Sequence, residues 1–298
     1  MKADDATADW LHEQWAIAAS EHSVEVEGVL IGYRGWNLDA HHLPGLVLVH
    51  GFRAHARWWD HIAPSLSQGH RVAAIDLSGM GESGRRESYG RAQMGREILA
   101  VAADCGFDPV TLIAHSFGSM PAIIASIAAP ERVRRLVIID TALPTAADVG
   151  HQIPVPPQRV YATREQAIER FRLVPPGKWP NLVVLDYIAQ HSVRQTPQGQ
   201  ALQGWTWKFD ADAGRSLNRE AQFYRGDLFG VAVPMDVIYG AQTEIMNQER
   251  RAMAAEIAPL CGPPIAIPCS HHHVMIEQPV ALASTLAALL AVPRDMSG

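Results

Sequence analysis

Ser116 lies in a sequence pattern that could make it a nucleophile. The segment AHSFG places Ala114 two positions before this serine and Gly118 two positions after it. A serine at a sharp turn between a strand and a helix needs small residues at both places, because larger side chains would collide. A strand-like segment, VTLIAH, precedes the serine, and a helix-like segment, GSMPAIIASIAA, follows it. This context favours a nucleophile over the alternative, an ordinary helix N-cap.

Three consecutive histidines could supply the base that such a nucleophile needs. His271, His272 and His273 follow the strand-like segment PIAIP, and a neutral imidazole accepts a serine proton. A solvated loop is one alternative, and a metal site is another. Consecutive residues of an extended loop point in different directions, and the chain has neither H-E-x-x-H nor a Cys/His pair with metal-ligand spacing. The sequence therefore predicts one base and no metal site.

Two backbone amides could stabilise the oxyanion that forms when a serine attacks a carbonyl carbon. Phe117 directly follows the candidate nucleophile, and Phe52 follows Gly51 at the end of the strand-like segment LVLVH. A serine hydrolase needs two N–H donors aimed at this oxyanion. Gly51 would let its loop approach closely, although a simple glycine at a strand end is the alternative. We expect Phe52 and Phe117 to form the oxyanion hole.

The elements that must position these residues alternate between strands and helices. Buried, strand-like segments recur at LVLVH, RVAAID, VTLIAH, RLVIID, MDVIYG and PIAIP, with helical patterns between them. This rhythm predicts an α/β fold, a mostly parallel central sheet flanked by helices, in which ligands bind at the carboxyl ends of the strands. SVEVEG and VLIGYRGW predict an antiparallel pair before it. The rhythm breaks at 143–225, which we interpret as an inserted helical cap; 1–142 and 226–298 form the core domain.

Composition excludes several classes of protein. The chain has 298 residues, 48% of them hydrophobic, and a net charge of −6 without a run of Lys or Arg, which argues against a nucleic-acid partner. It has no apolar stretch of about 18 residues, so we expect no membrane span. The N-terminus lacks a signal-peptide pattern, and the three cysteines lack zinc-finger spacing and are predicted to be free thiols. We therefore expect a cytoplasmic protein.

Taken together, six segments resemble the α/β-hydrolase superfamily from about residue 25 to the C-terminus. They are VLVHGF…WWDHIAP, VAAIDLSGMGESG, LIAHSFG, LVIIDTA, VIYGAQT and SHHHVMIEQP. The resemblance implies an enzyme that works without a cofactor. In this family the base commonly lies five residues before the acid of an E-Q-P that opens the last helix. That acid is Glu277 here, so the resemblance selects His272 as the base and leaves His271 and His273 as bystanders.

The acid of the triad departs from the usual pattern of the family. The resemblance places an acid three residues after the glycine of VIYG, where this chain has Thr243. Glu244 follows one position later, and Asp140 ends the strand-like RLVIID, where one branch of the family carries its acid. We prefer Asp140, because an acid that follows a buried strand is better shielded from water. The alternative roles are a turn cap for Asp140 and a solvated loop acid for Glu244.

Several residues near these segments are candidates for substrate binding. Arg53, His55 and Arg57 lie close to the expected oxyanion loop and could bind a substrate carboxylate, although surface charge is the preferred interpretation. Tryptophans near the site could line an apolar pocket or pack in the core. Asp76 is expected to be structural. The substrate-binding candidates are Gly51, Arg53, His115, Trp205, Trp207 and His271.

The predicted function is hydrolysis of a carboxylic ester or lactone of a small, largely apolar substrate through an acyl-enzyme. A serine nucleophile argues against dehalogenase and epoxide-hydrolase chemistry, where the family uses aspartate. The same triad also cleaves carbon–carbon bonds of β-diketone-like compounds, which is the first alternative. A ligand-binding receptor on a hydrolase scaffold is the second. The expected partner is a small molecule, without nucleic acid or membrane, and a homodimer is left open.

Overall fold

A computed structural model describes most of the chain. The described residues are 5–143, 145, 157–177, 181–196, 198, 202–219, 225–256 and 262–292. Parts of the predicted cap, including 146–156, lie outside them, as does Cys261. Within the described part, no helix combines the length and the apolar character that a membrane span requires.

Eight strands form the central sheet and two short strands form a separate ribbon. The central strands are β1 (Ser20–Val26), β2 (Val29–Trp36), β3 (Gly45–Val49), β4 (Arg71–Ile75), β5 (Val110–His115), β6 (Val133–Ile139), β9 (Met235–Gly240) and β10 (Ile265–Ile267). The ribbon pairs β7 (Val193–Gln195) with β8 (Trp205–Trp207) in antiparallel orientation.

Eleven α-helices are assigned in the described residues. They are α1 (Asp5–Ala16), α2 (Ala63–Leu66), α3 (Arg91–Asp104), α4 (Ser119–Ala128), α5 (Arg164–Glu169), α6 (Leu182–His191), α7 (Ala211–Arg219), α8 (Arg225–Leu228), α9 (Gln248–Glu256), α10 (Val274–Glu277) and α11 (Pro279–Leu290). Short 3₁₀ turns at Ala56–Trp59, Ser116–Gly118 and Pro130–Arg132 connect them to the sheet.

The order of the central sheet confirms the predicted fold class. Its strands run β1-β2-β4-β3-β5-β6-β9-β10. β1 and β2 form the predicted antiparallel pair, and β2 pairs with β4 in the same sense. Every later pairing, from β4–β3 through to β9–β10, is parallel. The carboxyl ends of β3, β5, β6, β9 and β10 therefore meet at one edge, where the candidate catalytic residues follow their strands.

Two apolar clusters bury the two faces of the sheet. Successive side chains of a strand point to opposite faces. In β3, Val47 and Val49 therefore belong to the cluster that packs against α3 and α4, whereas Leu46 and Leu48 belong to the cluster that packs against α1, α2 and α11. All residues of β3, β4 and β5 are buried, as continuous apolar strands covered on both sides should be.

The chain between β6 and β9 covers the carboxyl edge of the sheet. It contributes α5 to α8 and the ribbon, and it is joined to the core by specific hydrogen bonds. Gly81 N donates to Lys208 O across 2.8 Å, and Asn181 N donates to Ile276 O across 3.2 Å. The Tyr187 hydroxyl donates to Asp60 Oδ2 across 2.5 Å. That this segment is a separate cap with bounds at 143 and 225 stays a prediction.

Candidate active site

Ser116 sits at a sharp turn between β5 and the helical segment that continues into α4. Its φ of +52° is in the left-handed region, which non-glycine residues rarely adopt and which is a form of backbone strain concentrated at functional sites. Two positions later, a Cβ added to Gly118 would come within 2.3 Å of the His50 carbonyl oxygen. Gly118 is therefore required, because the end of β3 approaches its backbone too closely for a larger residue.

His272 is hydrogen-bonded to Asp140 across the carboxyl edge of the sheet. The distance from His272 Nδ1 to Asp140 Oδ1 is 2.8 Å, and both side chains are buried. A carboxylate only accepts hydrogen bonds, so Nδ1 carries the proton and Nε2 presents its lone pair. This is the tautomer that a serine nucleophile needs in its base.

The Asp140 carboxylate is fixed by two further donors. Gly240 N donates to Oδ2 across 2.8 Å, and the Thr243 hydroxyl donates to Oδ1 across 2.9 Å. Asp140 has no exposed surface, and its backbone adopts a left-handed conformation with a φ of +43°. Both the backbone conformation and the hydrogen bonds therefore restrict the position of the carboxylate. Glu244, the alternative acid, is exposed on the loop after β9. The structure thus brings Asp140 to His272.

The loop that carries the three histidines is held tightly against neighbouring strands. A Cβ added to Gly240 would lie 2.1 Å from the His271 carbonyl oxygen, so only glycine lets this loop cross β9. Glu277 Oε2 accepts a hydrogen bond from His271 N. His115 Nε2 donates to the His272 carbonyl across 2.9 Å. Together these contacts fix the backbone on both sides of the candidate base.

One cavity of about 350 Å³ brings Ser116 and His272 together. Its floor consists of residues at the carboxyl edge of the sheet, and its walls come from the segment after β3 and from the chain between β6 and β9. The apolar and aromatic part of the wall includes Phe52, Trp58, Tyr161, Phe171, Leu173, Val174, Trp207 and Phe209.

The predicted substrate-binding residues divide into two groups. Gly51, Arg53, His115 and Trp207 line the cavity. Trp205 and His271 are not among its described lining residues, although Trp205 lies on the same short strand as Trp207.

The two predicted oxyanion residues are in contact with each other. Phe52 lines the cavity, and its ring packs against that of Phe117 with 5.4 Å between centroids. The role of their backbone amides stays a prediction.

The three charged or titratable residues after the oxyanion loop have different environments. Arg53 lies over the rings of Phe52 and Phe209 and lines the cavity. His55 also lines it, with Nε2 2.9 Å from Ser192 Oγ. Arg57 is not among the described lining residues, and it forms ion pairs with Glu21 across 2.7 Å and with Asp60 across 3.5 Å. Surface charge thus describes Arg57 but not Arg53 or His55.

Asp76 holds two loops together next to the site. Its Oδ1 accepts a hydrogen bond from Ala56 N across 2.6 Å, and its Oδ2 accepts one from Glu82 N across 2.9 Å. Burial raises the pKa of Asp76 to about 6. The side chain is not among the described residues of the cavity wall, in keeping with a structural position.

Four cationic residues of the cavity wall have no counterpart among the sequence predictions. They are Arg159, Arg170, Arg172 and Lys208. Lys208 and Phe209 directly follow Trp207 in WTWKF. This proximity is the one sequence feature that could have placed Lys208 at the site. The three arginines lie on either side of α5, where no strand pattern predicts which side chains face the site.

Comparisons with known proteins identify relatives of this chain. The chain is 26% identical over 245 residues to the pimeloyl-[acyl-carrier protein] methyl ester esterase of Edwardsiella ictaluri, covering 81% of this chain and 91% of the relative. It is 27% identical over 271 residues to the (lyso)-N-acylphosphatidylethanolamine lipase of Mus musculus, covering 78% and 75%.

A solved structure shares the fold over nearly the whole chain. The thioesterase domain from the curacin biosynthetic pathway superposes with a TM-score of 0.71 at 22% identity, covering 92% of this chain and all of that domain.

The model of the alpha/beta hydrolase family matches residues 46–285. These residues include the serine turn, the Asp140 strand and the histidine loop, and the chain therefore belongs to the alpha/beta hydrolase family.

Proposed function

We propose that the protein is a serine hydrolase that cleaves a carboxylic ester or lactone through an acyl-enzyme. Two observations together carry the proposal. Ser116 and His272 line one cavity, and Asp140 accepts a hydrogen bond from His272 Nδ1. The esterase and lipase relatives support the same bond type. Because Cys105 and Cys269 are free thiols, a cytoplasmic location is part of the proposal.

In the proposed reaction, His272 Nε2 takes the proton of Ser116 as its oxygen attacks the substrate carbonyl carbon. The N–H groups of Phe52 and Phe117 stabilise the resulting oxyanion. His272 then gives its proton to the leaving alcohol, and water, activated by the same imidazole, hydrolyses the acyl-enzyme. Asp140 orients the ring and stabilises the imidazolium that forms transiently.

The cavity wall supports a substrate that is apolar near the ester and anionic further out. Aromatic and aliphatic side chains surround the serine, whereas every described lining residue with a permanent charge is a cation: Arg53, Arg159, Arg170, Arg172 and Lys208. Lys208 also pairs with Glu82, so its charge is partly compensated. The chain as a whole carries −6, which makes this local excess of positive charge informative. We propose that it binds a carboxylate or phosphate on the substrate.

Covalent labelling tests the proposed nucleophile directly. An organophosphonate should add to Ser116, as seen by the mass of the protein and of its peptides, and should abolish ester hydrolysis. The Ser116→Ala variant should take no label and should lose at least about 10³-fold in kcat, given the losses that follow removal of a triad nucleophile. Labelling at another residue, or retention of more than about a hundredth of the activity, would contradict the assignment.

A substrate panel separates the alternatives. Esters and lactones of several chain lengths are compared with β-diketone-like compounds, which the same triad can cleave at a carbon–carbon bond. Turnover of the diketones alone would favour the carbon–carbon hydrolase. Labelling of Ser116 without turnover of any compound would favour a receptor on a hydrolase scaffold.

A further inference from the structure

Three histidine rings from two distant parts of the chain meet in the cavity wall. His115 ends β5, and His272 and His273 belong to the loop before α10. Each ring contributes one nitrogen to a group of three, and these three nitrogens all lie within 4.8 Å of one another. The ring centroids are 4.8 Å apart for His115 and His272, and 5.0 Å for His272 and His273. The neighbour His271 is not part of this cluster; its backbone N–H donates to Glu277 instead.

Hydrogen bonds determine which nitrogen of each ring carries its proton. His115 Nε2 lies 2.9 Å from the His272 carbonyl, and His273 Nε2 lies 2.8 Å from the Pro175 carbonyl. His272 Nδ1 faces the Asp140 carboxylate. Because carbonyls and carboxylates only accept hydrogen bonds, each of these nitrogens is the donor. The lone pairs of the neutral rings therefore lie on His115 Nδ1, His272 Nε2 and His273 Nδ1.

Two of these lone pairs are buried without a hydrogen-bond partner among the described residues: His115 Nδ1 and His273 Nδ1. Leaving a buried polar atom without a partner destabilises the fold. A metal ion bound to both lone pairs would give these two buried nitrogens a partner.

We propose that His115, His272 and His273 form a binding site for a divalent transition-metal ion such as Zn²⁺, and that the bound ion inhibits the enzyme. Imidazole nitrogens suit Zn²⁺, Cu²⁺ and Ni²⁺. Metal-binding histidines usually donate their other ring N–H to a carbonyl or carboxylate, and all three rings do so here. A tetrahedral Zn²⁺ with Zn–N distances of about 2.0–2.1 Å holds its ligand nitrogens about 3.4 Å apart. The nitrogens here lie within 4.8 Å of one another, so the most distant pair must close by up to about 1.4 Å on binding.

Inhibition follows from the identity of one ligand. The lone pair of His272 Nε2 is the one that takes the proton of Ser116 in the proposed reaction. A metal ion that uses this lone pair removes the base, because the same lone pair cannot then accept the serine proton. The site goes beyond the proposed function, because hydrolysis itself needs no metal ion.

Zinc titration of three proteins tests the site. Wild type, His273→Gln and the matched control His271→Gln are stripped with a chelator, and ester hydrolysis is measured at buffered Zn²⁺, each relative to its own metal-free rate. Wild type should show saturable inhibition that EDTA reverses. His273→Gln should raise the half-inhibitory concentration at least about tenfold, and His271→Gln should shift it by less than about twofold. Equal sensitivity of all three proteins would overturn the proposal.

Cobalt spectroscopy gives a readout that does not depend on activity. Co²⁺ added to wild type and to His271→Gln should give the visible absorption bands of a nitrogen-ligated ion of low coordination number, and Zn²⁺ should displace them. His273→Gln should lack these bands. If that variant does not fold, the wild-type spectrum and the slowing of organophosphonate labelling by Zn²⁺ decide the matter. Absence of the bands from wild type would refute the site even if the proposed ester hydrolysis is correct.

Discussion

Thr243 donates its hydroxyl proton to Asp140 Oδ1 across 2.9 Å. The direction of this hydrogen bond is fixed, because the same hydroxyl oxygen accepts Ile245 N across 3.1 Å and the carboxylate can only accept. Thr243 occupies the position where the family resemblance places the acid. In this chain the side chain at that position supports a carboxylate that comes from the neighbouring strand, β6.

Asp140, not Glu244, should be the acid on which turnover depends. Asp140→Asn removes the charge beside His272, because an amide cannot stabilise the imidazolium and can select the wrong tautomer. We expect kcat to fall on the order of 10³- to 10⁴-fold with little change in folding. Glu244→Gln, a matched change on an exposed loop residue, should retain most of the activity. Steady-state kinetics of both variants check this, and the opposite ranking would move the acid to Glu244.

The contact between Thr243 and Asp140 predicts that the acid can be moved. In the double variant Asp140→Asn, Thr243→Asp, a carboxylate is placed at the usual position of the family, next to the original one. We expect kcat to recover by at least about tenfold over Asp140→Asn alone, a coupling of the size seen between contacting residues. Thr243→Asp alone should not exceed wild type, since two adjacent carboxylates repel each other. Failure of the double variant to recover would show that only β6 can present the acid.

The two tryptophans of β8 should differ in their effect on substrate choice. Trp207 lines the cavity and packs against Phe171 and Tyr161 with 5.9 Å between ring centroids. Trp207→Ala removes apolar wall, so the preference for a long over a short acyl chain should change by about tenfold, the value of one or two buried methylenes. Trp205→Ala should leave this ratio unchanged. A chain-length panel measures it, and a uniform loss for Trp207→Ala would indicate a folding role.

The core and the candidate catalytic residues can be read from the sequence because their signals are local. Continuous apolar strands, the small residues around Ser116 and the residues that precede E-Q-P each lie within a few positions of one another. The partnership of Thr243 with Asp140 joins residues 103 positions apart, and no local pattern encodes it. The departure from the family pattern at Thr243 is the basis for preferring Asp140 as the acid, but it does not predict that the threonine hydroxyl binds this carboxylate.

The cavity wall was less predictable for the same physical reason. Arg170 and Arg172 belong to REQAIERFRL, which has a helix-like pattern, but the helix α5 ends at Glu169. The pattern therefore does not assign these two side chains a face. The family resemblance selects His272 by its spacing to Glu277 and leaves His273 as a bystander. His273 lines the cavity because Pro175, 98 residues earlier in the chain, accepts its Nε2 proton and turns the ring.

The cationic wall predicts a preference for anionic substrates. Two nitrophenyl esters of equal length are compared, one ending in a carboxylate and the other in a neutral carboxamide. We expect kcat/KM to be on the order of tenfold higher for the carboxylate at low ionic strength, and salt should reduce the advantage. Arg170→Met or Arg172→Met should reduce it as well. Arg251→Met changes an exposed arginine on α9 that is not a described lining residue, and it should have no effect.

Buried neutral histidines should make the fold sensitive to acid, and His61 isolates the effect. His61 is fully buried, its Nε2 donates to the Met275 carbonyl across 2.8 Å, and burial lowers its pKa to about 4. An unfolded chain regains the ordinary histidine pKa of about 6.5. Between these two values the unfolded state binds a proton that the folded state does not, so the free energy of unfolding falls as the pH falls.

The size of this loss follows from the two pKa values. From pH 7.5 to pH 5, His61 alone should remove about 2 kcal/mol of stability. Asp76 acts in the opposite direction, because burial raises its pKa to about 6 and the folded state then binds the extra proton. Total stability therefore mixes both effects, and only a difference between variants isolates the histidine.

His61→Gln keeps an N–H donor for the Met275 carbonyl but has no group that titrates. Denaturant unfolding at the two pH values should show that this variant loses about 2 kcal/mol less than wild type on acidification. The matched change His22→Gln, at an exposed histidine of β1, should leave the pH dependence as in wild type. His61→Gln is expected to be less stable than wild type at pH 7.5, which does not affect the comparison because each protein serves as its own reference. Equal losses for wild type and His61→Gln would mean that His61 is protonated in the folded state.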